Sequence, residues 1–153
     1  MRAFRIADGR FPIFSGMGAR LIGGRWNSPG HGVIYAAETF AGAILEILVH
    51  ANLNRLPLRH AFVEITIPEN LKTESMAGED LSGWDAADQI ASRAFGDRWI
   101  QERRSSVLLI PSIVTGGHER NVLINPEHGD FRRISATDPE PVRWDQRLFK
   151  HLP

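Results

Sequence analysis

The apolar residues of this chain come in short runs scattered from end to end, and only one run is long and helical in character. Such a distribution restricts the fold to many short strands and few helices. Ala3–Ile6, Val33–Ala37, Ala61–Ile67, Val107–Ile110, Asn121–Ile124 and Phe131–Ile134 read as strands, and Val142–Leu148 as an edge strand. Ala61–Ile67 alternates, with Val63, Ile65 and Ile67 on one face and Phe62, Glu64 and Thr66 on the other, the mark of a half-exposed strand. Val107–Ile110 is continuously apolar and predicts a buried strand, ended by Pro111-Ser112. Two helices are predicted. Phe40–Ala51 follows Thr39, a good N-cap, and is apolar nearly all round, which predicts burial on most sides. The second runs from Asp85 to about Arg104, with Ala87, Ile90, Ala91, Ala94 and Phe95 inward and Gly96 as a break or bend. Glycine-rich residues 7–32 and acidic residues 69–83 read as connections. Strands outnumber helices in mixed order, so the fold class is α+β. No repeat or linker divides the 153 residues, and residues 1–153 are expected to form a single domain.

Composition removes several function classes. There is no cysteine, which excludes disulfide scaffolds, thiol nucleophiles and cysteine-built zinc sites. The six histidines show no paired spacing, so no metal is expected. Formal charge is zero and no basic helix stands out, which argues against nucleic acid as a direct partner. No apolar stretch approaches the roughly 20 residues of a membrane span, and the first ten residues lack a signal-peptide pattern. A cytoplasmic protein is the expectation. Charge is nonetheless uneven: residues 1–60 hold seven arginines and three acids, whereas residues 61–153 hold eleven bases and fifteen acids. A basic first third suits a small anionic ligand.

Five positions draw attention on chemical grounds. In Ser15–Gly30 the P-loop and dinucleotide-fold glycine patterns both fail, yet Gly23-Gly24 permits close backbone approach to a ligand. Arg25 beside them has the planar fork to clamp a phosphate. Alternatively the segment is a turn cluster around a buried Trp26. Glu46 sits mid-helix in a thin polar stripe with Gly42 and His50, facing either water, a structural arginine partner or a cleft with a catalytic task. Tyr35, the only tyrosine, is either core or a cleft residue that stacks on a flat heterocycle. Ser112 lacks a nucleophile-elbow pattern and reads as a turn hydroxyl.

The order of the motifs says more than any one of them. Phe4-Arg5 is followed by GARLIGGRWNSPG, IYAAET, AILEILVH, Trp84-Asp85, LLIPSIV, ERNVLINPEHGDF and a terminal WDQRL. This series resembles the RES-domain family, the toxins of RES–Xre toxin–antitoxin systems, over roughly Arg2 to Leu148. Phe4 departs from the tyrosine that many relatives carry. The resemblance implies a fold like that of ADP-ribosyltransferases, with a split, mostly antiparallel β core and flanking helices. It implies NAD+ as substrate, consumed by hydrolysis or phosphorolysis or used to ADP-ribosylate a protein. It also implies an Xre-type antitoxin as partner, with a homodimer possible within that complex. Matched position by position, it implies Glu46, Ser112, Tyr35 and Arg25 as catalytic residues. Arg5, Arg25, Gly24, Tyr35 and Asn125 are then the NAD+-binding set. The arginines would hold the pyrophosphate, Tyr35 would pack on nicotinamide or ribose, and Glu46 would stabilise the cation formed as the bond breaks. Ser112 would donate a hydrogen bond rather than attack. A catalytically degenerate binding module is the non-enzymatic alternative.

Overall fold

Every strand of the computed structural model, which describes residues 1–50 and 57–149, joins one sheet of eight. In chain order they are β1 (Arg2–Asp8), β2 (Ile34–Ala37), β3 (His60–Thr66), β4 (Thr73–Ser75), β5 (Val107–Pro111), β6 (Arg120–Ile124), β7 (Ser135–Ala136) and β8 (Glu140–Pro141). Their order across the sheet is β4-β5-β6-β2-β1-β3-β7, with β8 also on β3. All pairings are antiparallel except β4 with β5. The α+β class and the antiparallel core are as the sequence implies.

The sheet is two half-sheets joined by a thread. β1 and β3 share seven register pairs, from Arg2↔Thr66 to Asp8↔His60, and β2 and β6 share four. Between β1 and β2 there is one, Phe4↔Ala37. One face of the sheet buries Ile34, Val63, Ile65, Leu109, Val122 and Ile124 with Ile13 and Leu71 from connecting segments. The opposite face carries two separate clusters. Trp26, Trp99, Leu108, Ile110 and Leu123 pack together over the β5–β6–β2 half. Ile6, Ala37, Ala43, Phe40 and Phe62 pack over the β1–β3 half. A cavity opens between them.

Among the described residues three α-helices flank the sheet: α1 (Met17–Ile22), α2 (Phe40–His50) and α3 (Ile90–Gln101). The α1 helix falls inside the predicted connection; its six residues bury nothing, so no apolar periodicity reveals it. Thr39 caps α2 as predicted, its Oγ1 accepting from the Gly42 amide at 2.8 Å. Burial of α2 on most sides is not found. Only Gly42 and Ala43 are buried, and Leu45 and Val49 are 41% and 63% exposed, so one side of the helix is left open. Ala51, its predicted last residue, lies outside the described residues.

The second predicted helix is shorter and rotated. It begins at Ile90 because Gln89 takes a left-handed φ of 61°. Its buried face is Ser92, Gly96, Trp99 and Ile100, while Ala87, Ile90 and Ala94 are exposed. Gly96 does not break it: a Cβ there would lie 1.8 Å from the Trp26 carbonyl oxygen, so the glycine lets helix and loop backbone touch. Phe131–Ile134 is not a strand. Residues Gly129–Arg133 form a 3-10 turn started by His128, and Phe131 stacks on Phe14 instead. The tail gives only the two-residue β8 and a 3-10 turn at Gln146–Phe149. Among the described residues no helix is long and apolar enough to cross a membrane.

Candidate active site

The loop from Gly23 to Gly30 is clamped from two sides. On one side is α3: Arg93 donates to the Gly24 carbonyl at 3.3 Å, and Asp97 accepts from the Ser28 amide at 2.8 Å and the Ser28 hydroxyl at 2.5 Å. On the other is Asn27, fully buried, whose amide donates to the carbonyls of Ala19, Ser28 and His31. These bonds satisfy the backbone of an irregular segment that would otherwise be costly to bury. They also aim Arg25, which leaves the loop and donates to the Ala86 carbonyl at 2.8 Å.

Tyr35 serves this loop as well. From β2 its hydroxyl donates to Asn27 Oδ1 at 2.7 Å and accepts from the Trp26 amide at 3.1 Å. Burial pushes the phenol well above its ordinary pKa, so it stays neutral. The hydroxyl is therefore occupied by the protein, and the ring is what lines the cavity. A Cβ at Gly24 would sit 2.6 Å from the Tyr35 hydroxyl oxygen, so the glycine makes room for the tyrosine, and its backbone also lines the cavity.

Arg5 spans the seam between the half-sheets. From β1 its Nε donates to the Ile13 carbonyl and its Nη1 to the Tyr35 carbonyl, both at 2.7 Å. Burial pulls the guanidinium down to about 10, still far above neutrality, so it remains a cation. Among the described residues neither Arg5 nor Arg25 makes an ion pair with a carboxylate. Enclosed charge without a counter-ion is expensive, and an anion is what such a site lacks.

Across the cavity, Glu46 projects from α2 toward the ends of β5 and β6. Its Oε1 accepts from the Ser112 hydroxyl at 2.9 Å and from Asn121 Nδ2 at 2.7 Å. The stripe noted in the sequence thus faces the cavity, which Glu46 and His50 both line. Ser112 is 3% exposed and reaches the cavity only through Glu46. Asn121, which sequence reasoning missed, lines it directly. The one signal was a polar residue interrupting the apolar β6.

The cavity measures about 640 Å³, within the range of small-molecule sites, and brings together Arg5, Gly24, Arg25, Tyr35 and Glu46. Asn125 is not there. It is fully buried beyond the end of β6, where its Oδ1 accepts from the Glu127 amide at 2.9 Å and fixes the turn that follows. Its side chain is engaged in the NPEH turn.

The structure is similar to one chain of the crystal structure of the M. tuberculosis MbcT–MbcA toxin–antitoxin complex, with a TM-score of 0.76 over 99% of this chain and 87% of that one, at 17% identity. The fold is thus an α+β fold of the ADP-ribosyltransferase-like kind. The model of the RES domain matches residues 2–145. The Prs ADP-ribosylating toxin of Sphingobium sp. (strain YBL2) is 39% identical over 141 residues, 89% of this chain and 86% of that protein. Toxin Res of Photorhabdus laumondii subsp. laumondii is 34% identical over 140 residues, 90% and 88% of the two chains. The chain belongs to the RES-domain family.

Proposed function

We propose that this RES toxin, a single domain over residues 1–153, consumes NAD+ by cleaving its nicotinamide–ribose bond. One observation carries the reading: two arginines without acidic partners and one positioned carboxylate line the same cavity. Arg5 and Arg25 supply the charge for the pyrophosphate, by forks that match phosphate oxygens. The Tyr35 ring offers a flat wall to nicotinamide or ribose. As the C–N bond breaks, its electron pair leaves with neutral nicotinamide and positive charge builds on the ribose, as in glycoside cleavage. Glu46 stabilises that charge from Oε2, since Oε1 is taken by two donors. Water then adds to give ADP-ribose and a proton, or phosphate adds to give the ribosyl phosphate.

A second reading shares the pocket and changes only the acceptor. The 39% identical relative is named an ADP-ribosylating toxin, which favours a protein side chain as acceptor. Mass spectrometry of products from NAD+, with and without phosphate, tests the first reading, and labelled NAD+ with cell extract tests the second. Free ADP-ribose or its phosphate supports consumption; a labelled protein band with NAD+ otherwise intact supports transfer. No turnover in any arm overturns both and leaves a binding module. An antitoxin of the Xre type is the proposed partner, supported by the complex in which the structural neighbour was solved. The cavity mouth is apolar and exposed at Ile22 and Val49, a surface that a protein partner would cover.

A further inference from the structure

We infer that Asn121 is a positioning residue that fixes Glu46 for the reaction, and that Glu46 Oε2 is the oxygen presented to the substrate. The inference rests on the proposed NAD+ cleavage and adds a residue to it. Asn121 lies on β6, next to Ile110 of β5 on one side and Ala37 of β2 on the other, near the middle of the sheet. The next three residues of β6, Val122, Leu123 and Ile124, are fully buried and apolar. An amide at such a position costs stability unless it has a partner. A carboxylate only accepts hydrogen bonds, so the 2.7 Å contact with Glu46 Oε1 requires the Asn121 NH₂ to face it.

Ser112 donates to the same oxygen at 2.9 Å. The two donors come from adjacent strands while the acceptor comes from α2, so the carboxylate is tied to the sheet and not to the freedom of its helix. With Oε1 doubly bonded, Oε2 is the oxygen left for the cavity; the Nδ1 of the exposed His50 ring lies 3.7 Å from it. A glutamate on a half-exposed helix would otherwise sample several rotamers. Removing one tie therefore lowers the fraction of molecules with Oε2 in place, without touching the arginines that hold the dinucleotide.

The test is steady-state NAD+ consumption by the intact protein carrying Asn121→Ala, Asn121→Asp, Ser112→Ala or Asn121→Ala with Ser112→Ala. We expect kcat to fall about 10- to 100-fold in Asn121→Ala, the scale of one hydrogen bond to a charged group, with KM within about threefold of wild type. Asn121→Asp, the same size but without the donor and with a charge facing Glu46, falls further. In the double variant the losses are non-additive, because both donors serve one oxygen. Thermal denaturation and ADP-ribose titration verify that each variant folds and binds. A fall confined to KM, simple additivity, or wild-type kcat in Asn121→Asp overturns the inference while leaving the reaction intact. A wild-type protein inert toward NAD+ overturns both.

Discussion

At the scale of single residues, the proposed reaction assigns the arginines of the pocket to binding and the carboxylate of Glu46 to chemistry. Glu46→Gln probes the second. The side-chain carbonyl can take the place of Oε1 and keep both donors, so geometry is retained and only the negative charge at Oε2 is lost. We expect kcat to fall on the order of 10²–10³, the range for one preorganised electrostatic partner, with ADP-ribose affinity by calorimetry little changed. Full activity in this variant would reject the role. Arg25, Tyr35, Glu46 and Ser112 were legible in the sequence because the motif order carries them, although their tasks were not. Tyr35 reads in the sequence as either core or a stacking residue, and nothing there shows that its hydroxyl holds Asn27 and Trp26. Asn121 and Asn125 show the limit most directly. Both are asparagines near the end of one strand, and only the strand's register decides that the first meets Glu46 while the second fixes a turn.

At the scale of elements, α3 matters less as a wall than as a clamp on the loop that aims Arg25. Gly96→Ala tests this, since its Cβ cannot coexist with the Trp26 carbonyl at 1.8 Å and one backbone must move. Overpacking of this kind costs roughly 1–3 kcal/mol, and each kcal/mol is worth about 2–4 °C in Tm at this chain length. We expect a Tm several degrees lower together with weaker ADP-ribose binding; Gly129→Ala, whose Cβ meets nothing within 4 Å, should leave both nearly unchanged. Equal behaviour of the two variants would contradict the clamp. The same contact explains why the phase of α3 was misread. Its last turn buries Trp99 and Ile100 in the usual way, but earlier the helix meets bare loop backbone and buries Ser92 and Gly96, which leaves Ile90 and Ala94 exposed. The central strands were legible because β3 alternates with period two and β5 is a continuous apolar run. The α1 helix buries nothing and β7 and β8 are two residues each, too little for a pattern.

At the scale of the whole molecule, the charge asymmetry of the chain becomes a charged seam. The basic first third supplies β1 and the loop after it, and folding sets Arg5 between half-sheets that share one register pair. The seam is therefore both the weakest join in the sheet and the place where an unneutralised cation is enclosed. An anionic dinucleotide would offset that charge and bridge α2, the seam and the loop at once. Ligand binding to the folded state alone stabilises it by about 2.7 kcal/mol at 100 times Kd. That corresponds to a rise in Tm of roughly 5–10 °C for a chain of this size. Differential scanning fluorimetry with ADP-ribose, which cannot be consumed by bond cleavage at nicotinamide, measures it directly. Arg5→Met should melt lower without ligand, because the Ile13 and Tyr35 carbonyls lose their donor, and should lose most of the ligand-induced rise. Adenosine, which has the base and sugar but no pyrophosphate, should stabilise wild type and Arg5→Met about equally. An ADP-ribose shift of the same size in both proteins would mean that the anion is held elsewhere, and that the seam cation belongs to the fold and not to the site.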